Sequence, residues 1–238
     1  IVPLPPLLEQ EKIAEILSTI DSAIEKVNEE ISKIEQLKKG LMQELLTKGI
    51  GHKEFKDTEI GKIPKDWEIS KIESLMTLKN GERPKISTNM EIPIYGANGI
   101  MGYTKDFLVN NEFTIIIGRV GASGEVHIGR GKIWVSDNAI YSFSYKKEKI
   151  YPPFIYYMLK LKNLKQFAVK TTHPIITQTF LNSIYVPCPT LSEQQKIAQI
   201  LSTVDEFLDL KRKKKGKLVE LKKGLMNLLL TGKVRVIE

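Results

Sequence analysis

The chain carries one segment twice, and this duplication limits its folds more than any other feature. Val2, Pro3, Pro5, Leu7, Glu9, Gln10, Lys12, Ile13 and Ala14 return in register as Val186, Pro187, Pro189, Leu191, Glu193, Gln194, Lys196, Ile197 and Ala198. The same offset of 184 residues, Val2 to Val186, carries Ile16-Leu17-Ser18-Thr19 onto Ile200-Leu201-Ser202-Thr203 and Leu37-Lys38-Lys39-Gly40-Leu41-Met42 onto Leu221-Lys222-Lys223-Gly224-Leu225-Met226. Two copies this far apart describe a duplicated element flanking a domain, whereas a solenoid would stack its repeats directly.

Each copy has the pattern of a long helix. Prolines stop the preceding chain, and Ser192 with Gln195 offers a capping box to the second copy, while the first has Leu8 at that position. Apolar residues in the first copy fall at Ile13, Leu17, Ile20, Ile24, Val27, Ile31, Ile34, Leu41 and Leu45, interrupted at Lys38. In the second they fall at Ile197, Leu201, Val204 and Leu208, then Lys211 and Lys215, then Leu218, Leu225 and Leu229. Alternating steps of four and three are a heptad seam. An amphipathic helix lying on a globular core is the plainer alternative, but such a helix would run for roughly 58 Å, which favours a coiled coil.

Charge sets the expected direction of pairing. Lys211-Arg212-Lys213-Lys214-Lys215 sits near the middle of the second helix, and Glu25, Glu29, Glu30 and Glu35 near the middle of the first. An antiparallel pair brings these runs together, and it suits a domain that leaves one helix and enters the other. Exposed ion pairs contribute only about 0–1 kcal/mol each, so they specify register more than stability. Gly40 and Gly224, inside the helical pattern, point to a close approach by another helix, either the sister copy or a partner's.

Between the helices the 3.6-residue period disappears. Apolar and β-branched runs at Ile92–Tyr95, Phe113–Ile117, Ile133–Val135 and Ala139–Phe143 are separated by glycine-rich turns, and a helix is expected over Pro153–Phe167. The expected architecture is α+β: residues 1–50 a first spacer helix, 51–185 a mixed-sheet domain with long loops, and 186–238 a second spacer helix forming an antiparallel coiled coil with the first. The 238-residue chain has a formal net charge of +8, distributed as −3 over residues 1–50, +6 over 51–183 and +5 over 184–238. A basic, loop-rich middle domain suits a polyanionic partner.

Catalytic chemistry finds little support. Tyr151-Pro152-Pro153-Phe154 lacks the Asn or Asp that an adenine methyltransferase places before its Pro-Pro, and no glycine-rich cofactor loop follows a strand. Gly118-Arg119-Val120-Gly121-Ala122-Ser123-Gly124 lacks the Gly-Lys-Ser/Thr of a P-loop, leaving a glycine-rich turn or a contact to a nucleic-acid backbone. His52, His127 and His173 with the lone Cys188 make no zinc pattern, so no metal, cofactor or catalytic residue is expected. One cysteine also excludes an internal disulfide and suggests a reducing, cytoplasmic setting, with no signal peptide and no membrane span. Because the sequence opens at Ile1 within a repeat, a fragment of a longer protein is expected.

Five segments, Ile63-Pro64-Lys65-Asp66-Trp67-Glu68, Ile94–Tyr103, Ile116–Gly124, Trp134–Asn138 and Gln178–Gln194, stand in this order between and into the duplicated helices. Together they resemble the specificity subunits of type I restriction-modification systems: the first is similar to the opening of a target-recognition domain, the next three to its later landmarks, and the last to the junction into the spacer helix. The resemblance implies two such domains joined by two antiparallel helices, each domain reading half of a split DNA site while the helices fix the spacer between halves. It further implies methyltransferase subunits that dock on the chain and bring S-adenosylmethionine, and a separate ATP-driven restriction subunit. This sequence matches helix, second domain, helix. A coiled-coil adaptor and a fused methyltransferase fragment are the alternatives, and a homodimer through the helix seams would replace a missing half.

On that expectation double-stranded DNA is the ligand. Arg and Lys suit guanine, Asn and Gln suit adenine, and Lys, Arg, Ser and Thr suit phosphate. The candidate contacts in loops are Arg83, Lys85, Asn98, Lys105, Arg119, Thr172, His173 and Gln178, with Thr171 and Thr177 beside them.

Overall fold

A computed structural model describes residues 4–84, 91–168 and 175–236. In chain order the elements are α1 (Leu7–Lys48), β1 (Phe55–Thr58), β2 (Gly61–Pro64), β3 (Glu68–Lys71), α2 (Ile72–Leu75), β4 (Met76–Asn80), β5 (Ile92–Gly96), β6 (Gly99–Thr104), β7 (Val109–Gly118), β8 (Val126–Val135), β9 (Ala139–Tyr145), α3 (Pro152–Leu161), a 3-10 turn (Leu164–Phe167), α4 (Gln178–Ser183), β10 (Tyr185–Cys188) and α5 (Leu191–Leu229). They form two units, residues 1–40 with 201–238, and residues 41–200.

The first unit is a pair of long helices. Ile13, Ile20 and Val27 are buried, while Leu17, Ile24 and Ile31, which alternate with them along the seam, are half-buried. Leu201 and Leu208 are buried and Val204 is half-buried on the other helix; Ile197, the first seam residue of α5, is buried within the second unit. Ion pairs across the seam run in opposite directions along the two helices: Glu9 with Arg235, Asp21 with Lys222, Glu30 with Lys211, Glu35 with Arg212, and Lys38 with Asp205. The helices are therefore antiparallel, and the acidic middle of α1 meets the basic middle of α5 through Glu30 and Glu35. Lys38 and Lys211, which interrupt the apolar pattern, each meet a carboxylate of the opposite helix, so the interruptions fix register. Of the two approaches expected at the helical glycines, the one by the sister helix is not seen: a Cβ on Gly40 or Gly224 would meet nothing within 4 Å.

Helix starts also depart from the sequence reading. The α5 cap is Thr190, whose Oγ1 accepts from Glu193 N–H at 3.3 Å, two residues before the expected Ser192. In α1 the equivalent position is Pro6, whose carbonyl accepts from the amides of Glu9 and Gln10, and Leu8 lies within the helix. Gln10 and Gln194 are equivalent in the duplication, and they donate to the equivalent Pro5 and Pro189 carbonyls, each at 2.8 Å.

The second unit is α+β. Its main sheet has the order β4-β9-β7-β8-β5-β6, antiparallel throughout except for the parallel pair β5–β8. Two-stranded ladders β1–β2 and β3–β10 accompany it. The centre of β7 is buried residue by residue from Phe113 to Gly118, and it packs with Ile133, Val135, Ala139 and Tyr141. α3 covers β7 and β8 through Phe154, Ile155, Tyr157, Met158 and Leu159. The helix expected as far as Phe167 ends at Leu161, because Asn163 adopts φ 46°, outside the helical region, and a 3-10 turn follows.

At the entrance to α5 one carboxylate gathers three donors. Glu193 accepts from Ile50 N–H at 2.9 Å, His52 Nε2 at 2.8 Å and the buried Trp67 Nε1 at 3.1 Å. The chain can pass there because Gly49 has φ +70° and no side chain; a Cβ would lie 2.5 Å from Glu193 Oε1. The neighbouring Gln194, fully buried, accepts from Tyr151 N–H at 2.7 Å and donates to Lys149 O at 3.0 Å.

Candidate nucleic-acid interface

The loop after β7 holds Arg119 from both sides. Arg119 and Val120 amides donate to Asn138 O at 2.8 and 3.2 Å, while Arg119 O accepts from Ile176 N–H at 3.0 Å and Ser123 Oγ at 2.8 Å. Two of the segments singled out in the sequence, around Gly118 and Asn138, thus meet through the backbone. The glycines serve close packing. A Cβ on Gly118 would sit 2.2 Å from Ala122 O, and one on Gly124, at φ +83°, would sit 2.5 Å from Lys165 N. Glu125 and Lys165 pair at 2.5 Å, and that hydrogen bond holds the Glu125 carboxyl below its ordinary pKa. Within this loop the Gly118, Arg119, Val120, Gly124 and Glu125 N–H groups donate inside the protein, so these five amides are not offered to a phosphate.

Arg119 lines a recess of about 420 Å³ with Asn80, Thr177, Gln178, Thr179 and Asn182. Thr177 caps α4 by accepting from Phe180 N–H at 3.1 Å, which directs the helix so that Gln178 and Asn182, four residues apart, share a face. Gln178 Nε2 donates to Leu78 O at 2.8 Å, fixing the amide against β4. Asn182 Oδ1 is buried and has no hydrogen-bond partner.

Of the candidate DNA contacts, Arg119 and Gln178 therefore share one recess, and Thr177 joins them. Arg83 is exposed in the loop three residues past Asn80. This loop is tied down by Gly81 N–H to Ala139 O at 2.9 Å, Glu82 N–H to Val135 O at 2.9 Å and Trp134 Nε1 to Glu82 O at 2.8 Å. Only glycine fits at position 81, where a Cβ would lie 2.1 Å from Ser136 O. Asn98 is exposed in the β5–β6 turn, and Lys105 is exposed just past the far end of β6, so the hairpin separates them by the length of a strand. Lys85, Thr172 and His173, with Thr171, lie outside the described residues.

Sequence reasoning missed Asn80, Thr179 and Asn182. The Gln178/Asn182 spacing was a signal, but it speaks only once a helix is assigned to six residues between a polar run and a strand. Asn80 gave none, because β4 was not anticipated.

Comparison with known proteins adds independent findings. A family model described as the type I restriction modification DNA specificity domain matches residues 64–220. The chain is 35% identical to the type I restriction enzyme MjaVIII specificity subunit of Methanocaldococcus jannaschii, over 99% of this chain and 62% of the relative. It is 36% identical to the putative MjaX specificity subunit of the same organism, over 99% of this chain and 59% of the relative. The chain thus spans about three-fifths of the length of these curated relatives. Among solved structures, the S subunit of a type I system from M. genitalium superposes with a TM-score of 0.70 at 19% identity, over 94% of this chain and 61% of that one. The HsdS subunit of Thermoanaerobacter tengcongensis gives 0.59 at 16% identity, covering 98% and 61%. At those identities the structural likeness speaks to the fold.

Proposed function

Since the chain belongs to the type I restriction-modification DNA specificity family, we propose that it is the recognition subunit of such a complex and has no catalytic role of its own. Residues 51–185 read one half of a split double-stranded DNA site. Residues 1–50 and 186–238 form the antiparallel spacer that fixes the distance to the other half. The observation that carries this reading is the family match over residues 64–220, which runs from β2 into α5. The +6 charge of residues 51–183 and the Arg119 recess supply the basic, polar surface that DNA requires.

The helix pair is also the docking site for methyltransferase subunits, with a restriction subunit joining the assembly. Besides its buried seam, α5 exposes Phe207, Leu221 and Leu228 at heptad positions, interrupted by Lys214, and α1 exposes Leu37. A second apolar stripe on a helix already paired suits further helices packed alongside. Pairing of two copies through the same stripe is the competing occupant. No helix among the described residues is long and apolar enough to cross a membrane, and we place the complex in the cytoplasm with its DNA.

The test is methyl transfer from labelled S-adenosylmethionine to DNA by methyltransferase subunits, with and without this chain. Labelling at one sequence only when the chain is present supports the reading. Labelling independent of the chain, or none with it, overturns it.

A further inference from the structure

The recess beside β4 and α4 has a chemistry that distinguishes among possible DNA contacts. Its lining mixes one guanidinium, Arg119, with three carboxamides, Asn80, Gln178 and Asn182, and two hydroxyls, Thr177 and Thr179. A phosphate site presents donors alone, since the phosphate is fully deprotonated and only accepts. Here the lining includes a buried acceptor. Asn182 Oδ1 is out of water and has no donor, and such an atom costs free energy until something donates to it. Gln178 commits its Nε2 to Leu78 O, which leaves Oε1 as a second acceptor. The Arg119 backbone is held at both its N–H and its carbonyl, so its side chain is presented from a fixed point.

From this juxtaposition we propose that the recess receives the edge of a base and determines specificity. Turning its amide out of the buried position, Asn182 accepts through Oδ1 from an exocyclic amino group of adenine or cytosine, and Arg119 donates to purine acceptor atoms of the same or the adjacent pair. Asn80 and Thr179 complete the edge at the rim. This assignment rests on the recognition role proposed above, and it names the residues that discriminate. Donor and acceptor patterns in the major groove differ for every base pair, and a pocket holding both an unpaired acceptor and a guanidinium is suited to read them. Arg119 and Gln178 alone would have suggested a backbone clamp. The buried, donor-less Asn182 favours a base.

The experiment is selection and sequencing of DNA bound by the full chain assembled with its methyltransferase subunits, using a pool of double-stranded DNA with a randomised segment. Wild type, Asn182→Leu, Arg119→Lys and Asn80→Ala are compared, each first checked for an unchanged thermal melt. Asn80 is exposed, so Asn80→Ala keeps the test informative should an α4 variant fail to fold. The expected result is that wild type enriches one motif. The variants should lose on the order of 10-fold discrimination at one or two adjacent positions while preserving the remainder. Variants that enrich the wild-type motif with wild-type strength overturn the recess assignment and leave the recognition role intact. An Arg119 variant that weakens every sequence equally, with a salt slope lower by about one, identifies a phosphate contact and also overturns it. A wild-type complex that enriches no motif overturns the recognition role itself.

Discussion

Lys38 of the first long helix pairs with Asp205 of the second, and the duplication repeats that pair as Lys222 with Asp21. Each partner sits at the equivalent position of the other copy. The helix pair therefore has a local twofold character: one segment binds its own duplicate antiparallel and reciprocally, as the two halves of an isologous interface do. The termini follow the same rule. Glu193, at the start of α5, accepts from Ile50 and His52 just after α1, and its equivalent Glu9, at the start of α1, accepts from Arg235 Nε at 2.7 Å and Val236 N–H just after α5.

The Lys38 pair is partly exposed, so its contribution is modest. Lys38→Glu should cost about 1 kcal/mol by placing like charges together, and adding Asp205→Lys should restore most of it. A double variant no more stable than Lys38→Glu alone in urea unfolding would contradict the cross-helix pairing.

The apolar seam carries more. Ile20 is buried and Ile24 half-buried along it, and replacing both with Asp places unpaired carboxylates between the helices. Circular dichroism should show lost helix and an early-melting phase. Residues 41–200, a separate compact unit, should keep their own transition. Unchanged helix content and melting would refute the seam.

Glu193→Ala should remove an acceptor shared by three donors, including the buried Trp67 indole N–H. An orphaned buried donor costs about 1–3 kcal/mol, so the unfolding midpoint should fall clearly. Glu193→Gln, which retains one acceptor, should lose less. Equal midpoints for all three proteins would mean the cluster is not formed.

Glu9 gives a pH signature. Its hydrogen bond from Arg235 holds the carboxyl below the ordinary value of 4.5. A carboxylate with a lowered folded pKa adds stability that is fully present above its unfolded value and is lost as pH falls through the folded one. The Glu9 contribution should therefore persist at neutral pH and disappear on acidification below 4.5. Melting of Glu9→Gln against wild type should show the difference narrowing in acid. A gap independent of pH would argue against the Glu9–Arg235 bond.

The helices were legible because a heptad repeat is a long signal and the duplication states it twice. The cap at Thr190 was misplaced, because Ser192-x-x-Gln195 and Thr190-x-x-Glu193 are overlapping versions of one pattern. Of the strands, the apolar cores of β5, β7, β8 and β9 were visible. β1, β2, β3 and β10, at four residues each, were too short to show an alternation. The recess needed tertiary structure: Asn80 and Asn182 are about a hundred residues apart in the chain and meet only through the fold.

Arg83 tests the loop beyond the recess. If it contacts phosphate, Arg83→Ala should weaken binding to all DNA and lower the salt slope by about one. If it reads a base, roughly 1–3 kcal/mol should be lost on the cognate half-site alone. Wild-type affinity, slope and preference together would remove Arg83 from the interface.

If residues 51–185 read a DNA sequence as proposed, binding must depend on that sequence. The most direct measurement is competition binding by the chain assembled with its methyltransferase subunits, comparing a selected duplex with the same duplex scrambled in one half-site. Scrambling should weaken binding by a factor of about 1,000 or more, the usual gap between specific and non-specific sites. Equal affinity for the two duplexes at physiological salt would contradict it.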